Sequence, residues 1–350
     1  MRRSDDSACH GGAGRIARRG GAPDSRRQAM NPRLLLLLFL GLAVALPLSL
    51  LAGRVWIDPL SPATQNAATI LFHLRLPRAV LALGIGAGLG AAGAAMQGFL
   101  RNPLADPGLF GIAPGAALGA VLSFWTGYAA APWLLPLFAL AGACGAMTLL
   151  GLIAGRSGGI ALFTLAGLMV SSLAGALVSL AISLSPTPFA MSEIVTWLMG
   201  SLADRSWRDV GISIPFIMLG IGVLAFAGRS LDALTLGETA ARSLGVEPLK
   251  LQVLMVAGIG LTVGAGVAVA GIIGFVGLMV PHLVRPFTDH RPSSLIVPSA
   301  LAGALLLIIS DSLCRILPLT GGELRLGIGL SLLGAPFFLH LLLKMRRELV

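Results

Sequence analysis

From residue 34 onward the chain alternates long apolar runs with short polar breaks. The runs cover about 34–52, 79–100, 111–129, 133–154, 160–184, 210–228, 251–284, 293–313 and 326–343. About 20 residues at roughly 1.5 Å each cross a hydrocarbon layer ~30 Å thick, so each run of that length predicts a membrane helix. Residues 251–284 are too long for one span, since a straight helix of that length would measure ~50 Å. Gly271 and Gly274 are the expected break, giving a seventh span and a short eighth, and ten spans in all. Residues 189–203 (FAMSEIVTWLMGSLA) are apolar but short and contain Glu193 and Trp197, which predicts a re-entrant or interfacial helix. Residues 57–74 read as a polar, proline-broken connection. Residues 229–250 (RSLDALTLGETAARSLGVEPLK) predict a short amphipathic helix pair outside the bilayer. There Thr235 and Glu238 have capping-box spacing, and Gly245 is placed as a helix stop.

Within 79–100, Gly84/Gly88 and Gly86/Gly90 are each four apart, so each pair lies on one helix face. Glycines so placed let a second helix backbone come close. Gly111, Gly115 and Gly119 repeat the spacing on the next run, predicting two tightly packed helices. Asn102-Pro103 ends the first of them, because proline disfavours helix for the residue before it.

Composition fixes the class. Of 350 residues, 56% are hydrophobic and only 11% charged, against roughly 25% charged in soluble domains. The fold class expected is an all-α polytopic membrane protein, with one ten-helix domain over 34–345 and a short cytosolic C-terminus at 346–350. Residues 1–33 are set apart as a basic cytosolic tail. Its first thirty residues hold seven arginines against three aspartates and little apolar content, which predicts disorder. The formal charge of +10 does not signal nucleic acid; arginines flanking apolar runs follow the positive-inside rule. With both termini cytoplasmic, Arg54, Arg75, Arg78, Arg205, Arg208, Arg315 and Arg325 remain on the outer side and need another explanation. Cys9, Cys144 and Cys314 are far apart and imply neither a disulfide framework nor a zinc site.

Catalytic chemistry finds little support. None of the five histidines is paired with Cys or a carboxylate at ligand or triad spacing. His282, near a span end, reads as an interface residue. Neither Lys250 nor Lys344 follows a glycine in P-loop fashion, so nucleotide hydrolysis by that route is excluded. Ion-driven transporters usually carry carboxylates or histidines inside their spans; here Glu193 and Asp311 sit near predicted span ends. No metal or other cofactor is expected. A nearly charge-free pathway without a motor of its own points to an external one, and 229–250 is where a motor would push. The competing class is an ion-coupled secondary transporter, which would work alone in vesicles.

Five motifs then carry a resemblance. RLPR (75–78), GxxMQxxxxNPLADPxxxG (93–111), LGETAARSLGV (236–246), GIIGFVGLMVPHLVR (271–285) and GELRLGIGLSLLGAPFF (322–338) occur in order. Together they resemble the iron-chelate and cobalamin permeases, the membrane subunits of type II ABC importers. The likeness covers about 34–345. It implies ten helices per subunit, a homodimer with the pathway at its interface, two ATPase subunits, a periplasmic substrate-binding protein, lipid around the bundle and no nucleic acid. It implies a multi-pass protein of the bacterial inner membrane. It assigns Arg75, Arg78 and Arg315 to docking of the binding protein, and Glu238, Arg242, Leu244 and Gly245 within coupling helices at about 231–248 to the ATPase. It makes Ser157 and Gly158 a cytoplasmic gate, and places Gly167, Ser171 and Gly175 along the pathway. The order of cargo expected is siderophore, then haem, then cobalamin. Gly321-Gly322 departs from the usual pattern before Glu323 and loosens that loop.

Overall fold

The structure is a computed structural model and describes residues 32–53, 65–127, 131, 133–155, 159–317 and 322–348. The expected tail and the Ser157–Gly158 gate lie outside these residues. The helices are α1 (Pro32–Leu51), α2 (Ala67–Leu100), α3 (Ile112–Trp125), α4 (Leu134–Ala154), α5 (Ile160–Ser183) and α6 (Pro188–Leu198). They continue with α7 (Trp207–Leu234), α8 (Glu238–Ser243), α9 (Pro248–Ala270), α10 (Val276–Val284), α11 (Pro292–Ile316) and α12 (Leu326–Glu348). Eight of them are long and apolar enough to cross a membrane: α1, α2, α4, α5, α7, α9, α11 and α12. The shorter apolar α3 and α10 complete the ten expected segments in their expected order.

Two boundaries differ from the sequence reading. Residues 65–74 are helical rather than a broken connection. Pro77 has no N–H to give to an earlier turn, and a wide turn at Ile70–Arg75, in which Leu76 N–H bonds Leu71 O, carries the helix past it. The polar stretch 229–250 is not a helix pair. Helix α7 runs on to Leu234 and α9 begins at Pro248, leaving α8 alone between them.

The break in 251–284 falls where glycine allows it. Helix α9 stops at Ala270, Gly271 takes φ +71°, and 271–274 form no helix before α10 starts. Phe275, at φ +67°, turns the chain into α10. A phenylalanine in this region is a strained residue, and Gly334 of α12 gives its ring room. A methyl at 334 would lie 2.3 Å from the ring.

Helix α2 is the hub, and its glycines decide what touches it. On one face a methyl at Gly86 would meet Gly303 O at 2.3 Å, and one at Gly90 would meet Ser299 O at 2.0 Å, both on α11. On the other, Gly84 faces Ile214 and Gly88 faces Ile217 of α7. The two four-residue pairs therefore seat two different helices. Helices α2 and α3, expected to pack on one another, do not do so closely. The glycines of α3 face elsewhere, Gly119 against Phe138 O and Gly115 against Ala146 and Gly142 O of α4. Gly111 meets Val170 and Ser171 of α5. The loop between them, closed by Arg101 at φ +50° and by Asp106 accepting from Gly108 N–H at 2.7 Å, separates the pair.

Gly90→Val should weaken the α2–α11 seam by ~1–3 kcal/mol or more, as overpacking does. Gly145→Ala, where nothing lies within 4 Å of the added methyl, should leave the unfolding temperature in detergent unchanged. Equal melting of the two variants would contradict the seam.

Candidate functional site: the two ends of the helix bundle

The charged residues collect at the two ends. One end gathers the last turns of α1 and α11, the start of the RLPR stretch in α2, and residues 322–325 before α12. Asp311, fully buried, sits at its centre. Arg78 Nε lies 3.0 Å from both Asp311 oxygens and Nη2 2.8 Å from Oδ1. Arg78 Nη1 donates to Glu323 at 2.8 Å. Arg315, one helical turn after Asp311, brings Nε to 3.2 Å from Oδ2, a charge contact without hydrogen-bond alignment. Its Nη2 donates to Ser49 Oγ at 2.7 Å. Arg75 Nη1 donates to Leu50 O and Leu51 O at 2.8 and 2.9 Å, satisfying carbonyls at the end of α1. A buried pair of this kind needs its hydrogen bonds satisfied, and here one carboxylate gathers two guanidiniums.

Arg75, Arg78 and Arg315, the residues assigned to docking by the resemblance, thus lie at one end of the bundle, but not as free charges. They are 9%, 8% and 4% exposed. They point inward and join α1, α2, α11 and the 322–325 segment. The sequence signal that was missed is Asp311. It lies four residues before Arg315, on the same helix face, and so the spacing itself announced an internal partner.

Beside this cluster a cleft of about 360 Å³ opens between α3, α6, the turn 201–205 and Arg325. Next to Trp197 and Ser201 of its lining is a close backbone junction. Gly200, at φ +71°, packs on Ile272 O, Gly271 on Trp197 O and Gly327 on Met199 O, all at 2.2 to 2.3 Å from where a methyl would stand. Ser201 N–H donates to Ala270 O at 2.8 Å, and Gly327 N–H to Gly200 O at 3.2 Å. The expected helix at 189–203 is α6, which ends at Leu198 and keeps Ile194 buried. Burial holds the Arg205 guanidinium below the usual arginine pKa; Asp209 and Asp204 oppose that shift and Arg325 adds to it.

The opposite end gathers the C-terminal end of α2, the N-terminus of α5, the end of α7, α8, the start of α9, and the turn from α10 to α11. Two acids hold it together by capping helices other than their own. Asp232 Oδ1 accepts from Ser293 N–H at 2.9 Å, at the start of α11. Glu238 Oε1 accepts from Ile160 N–H at 3.3 Å, at the start of α5. Both put a negative charge against a positive helix terminus. Glu238 therefore does not form the capping box expected with Thr235. The residue before it, Gly237 at φ +103°, begins α8, and Thr235 closes α7.

The helix stop expected at Gly245 is present. With φ +86°, Gly245 N–H donates to Arg242 O and Val246 N–H to Ala241 O, both at 3.0 Å. This is the paired bonding of a Schellman motif. Ala241 is buried, while Leu236 and Leu244 are 68% and 64% exposed on either side of α8, and Arg242 is exposed. Under α8 lies a small apolar cavity of about 30 Å³ lined in part by Phe99, Phe163, Leu234 and Leu251. Phe163 stacks on Phe110 at 5.4 Å and meets Phe99 edge-on at 5.2 Å. Arg285 Nη2 donates to Gln97 Oε1 at 2.5 Å, closing α10 onto α2.

The three pathway residues on α5 separate. Gly167 is a packing glycine; the Phe110 ring lies against it, 2.4 Å from where a methyl would stand. Ser171 is half-buried beside Gly111. Gly175 faces open space, on a helix that also leaves Leu165, Leu173 and Leu180 exposed. Among the described residues no cluster of His, Cys, Asp and Glu is placed to hold a metal ion.

Long apolar helices, with the charges of the described residues gathered at their ends, define a polytopic membrane protein. The chain belongs to the FecCD transport family, whose model matches residues 34–344. It is 38% identical over 325 residues to the vitamin B12 import system permease protein BtuC of Escherichia coli (strain HS), covering 92% of this chain and 98% of that one. The identity and coverage are the same for BtuC of Salmonella typhimurium (strain LT2). A solved metal-chelate type ABC transporter in an inward-facing conformation superposes with a TM-score of 0.82 at 32% identity, over 89% of this chain and 99% of that one.

Asp311→Asn should leave the buried Arg315 without a counter-charge and Arg78 with Glu323 alone, and cost ~3–5 kcal/mol. In detergent the variant should melt at clearly lower temperature, with α1 detaching first under limited proteolysis. A variant as stable as the parent would remove the cluster's structural role.

Proposed function

We propose that this chain is the translocation subunit of an ATP-driven importer for a metal chelate, paired with a second copy of itself. The observation that carries the reading is α8. It is a short helix, flanked by two exposed leucines, hung between positive-φ glycines and pinned by Glu238 to the first turn of α5. A chain without a P-loop has no nucleotide site of that kind. A helix so exposed, yet tied to one span, suits a contact through which a separate ATPase acts. Arg242, Leu244 and Leu236 form the contact, Glu238 relays it, and Gly245 fixes the exit of the chain. In the sequence Ser157 and Gly158 stand just before Ile160, the residue that Glu238 caps, which supports their role as the gate.

Among the described residues the α8 end carries nine cations, Arg33, Arg101, Arg229, Arg242, Lys250, Arg285, Arg291, Lys344 and Arg346, against six at the Asp311 end, Arg75, Arg78, Arg205, Arg208, Arg315 and Arg325. By the positive-inside rule this excess favours the cytoplasm of a bacterial cell, at the inner membrane, for the α8 end and for both ends of the described chain. The Asp311 end then faces the periplasm and receives the substrate-binding protein. Arg75, Arg78 and Arg315 shape that surface from beneath. The apolar face of α5 around Gly175 lines the pathway between the two copies.

Two cargoes compete. An iron chelate, siderophore before haem, follows the family resemblance and agrees with the metal-chelate transporter of similar fold. Cobalamin, itself a cobalt chelate, is supported by the BtuC relatives.

Reconstituted with its ATPase and binding protein, the chain should take up the chelate that the binding protein carries, and only with ATP. Uptake by the chain alone would sink the reading in favour of an ion-coupled transporter. Glu238→Ala with Leu244→Glu should leave ATP hydrolysis running while uptake falls at least tenfold; retained uptake would remove α8 from the coupling route.

A further inference from the structure

The cleft at the Asp311 end holds an imbalance of hydrogen-bonding groups. Trp197 and Arg205 both line it, and both side chains only donate. Trp197 Nε1 and Arg205 Nε are buried, and neither has an acceptor among the described residues. Buried donors are normally satisfied, and one left alone costs ~1–3 kcal/mol. Arg325 lines the same cleft and makes no ion pair among the described residues. The acids nearby do not answer these donors. Asp209 is taken by Ser206, whose N–H and Oγ both donate to its Oδ2 at 2.8 and 2.9 Å. Glu193 and Asp204 are exposed along the cleft.

We propose that this cleft is a receptor for a carboxylate arm of the cargo, held by Arg205, Arg325 and Trp197 on the entry side of the protein. A carboxylate presents only acceptors, and a guanidinium matches it with two parallel bonds. A volume of about 360 Å³ falls within the ~300–1,000 Å³ of small-ligand sites. It admits one arm of a chelate rather than a whole one. Glu193 and Asp204 then meet the hydroxyl or N–H groups of the same arm, so the cleft selects a carboxylate that carries donors beside it. The glycine junction of Gly200, Gly271 and Gly327 holds Trp197 and the 201–205 turn at fixed spacing, a rigidity that a preformed site needs. This inference rests on the importer reading. It also discriminates among chelates by their arms, because an arm bearing a free carboxylate is held where an amide arm is not.

The test uses the full chain in detergent and citrate as probe, followed by titration calorimetry. The neutral triethyl citrate is the control. Citrate should bind saturably and the ester should not. Arg205→Gln with Arg325→Gln should weaken citrate at least tenfold. Trp197→Phe, which keeps the ring and loses the N–H, should weaken it several-fold. Arg325→Gln alone removes no internal ion pair, so it stays folded and should already weaken citrate. The absence of saturable binding, or citrate binding unchanged in the variants, would overturn the proposal. A second arm measures attachment of the cargo-free binding protein. If the double variant loses that attachment and citrate does not bind the parent, the cleft is a contact for an acidic side chain of that partner and the cargo site is refuted. Neither arm depends on uptake, so failure of transport and failure of the site are told apart.

Discussion

The architecture depends on how closely other backbones approach α2. Between apolar helices in lipid, attraction comes from packing and interhelical hydrogen bonds more than from exclusion of water. The distance of approach is then the controlling variable. Gly86 and Gly90 admit the carbonyls of α11, and Gly84 and Gly88 admit side chains of α7, so one helix serves two neighbours on two faces. The same device recurs at α3 and α10, which stop short of a full crossing. Gly277 of α10 meets Pro107, and Gly119 of α3 meets Phe138 O of α4. The short α3 is held by a contact as close as those on the long α2, because it has little surface with which to hold itself.

The two ends of the bundle solve the problem of charge differently. At one, a single carboxylate is sealed in with two arginines and a third arginine satisfies the end of α1. Moving any of those helices separates charges in a poor solvent, so this end resists change. At the other, acids sit on helix N-termini near the surface, where water can replace either partner. The contrast puts rigidity where a delivered cargo would arrive and adaptability where a motor would act.

Much of this was legible in the residues. Apolar run lengths gave the ten segments. Four-residue glycine spacing marked the faces of α2, and the pair Gly271/Gly274 located the break. The polar stretch 229–250 misled, because its ends are the solvent-facing turns of long helices, and local polarity does not distinguish those from independent helices. Residues 65–74 misled for a related reason. Proline suggested a stop, but a wide turn absorbs a ring that an ideal helix would reject. Hardest to see were contacts across the chain. Nothing local about Glu238 says that it caps Ile160, and the inward turn of Arg78 becomes visible only when Asp311 and Glu323 are found beside it, more than 230 residues away.

Helix α8 is suspended between Gly237 and Gly245, two pivots whose backbone angles few other residues adopt. In the coupling role proposed above, α8 would move as a short rod seated on the core through Ala241. A push on its outer side would reach α5 through the bond between Glu238 and Ile160 N–H. The stroke that reaches α5 is then set by the radius from pivot to carboxylate, a quantity that Glu238→Asp shortens by one carbon without altering the sign of the charge.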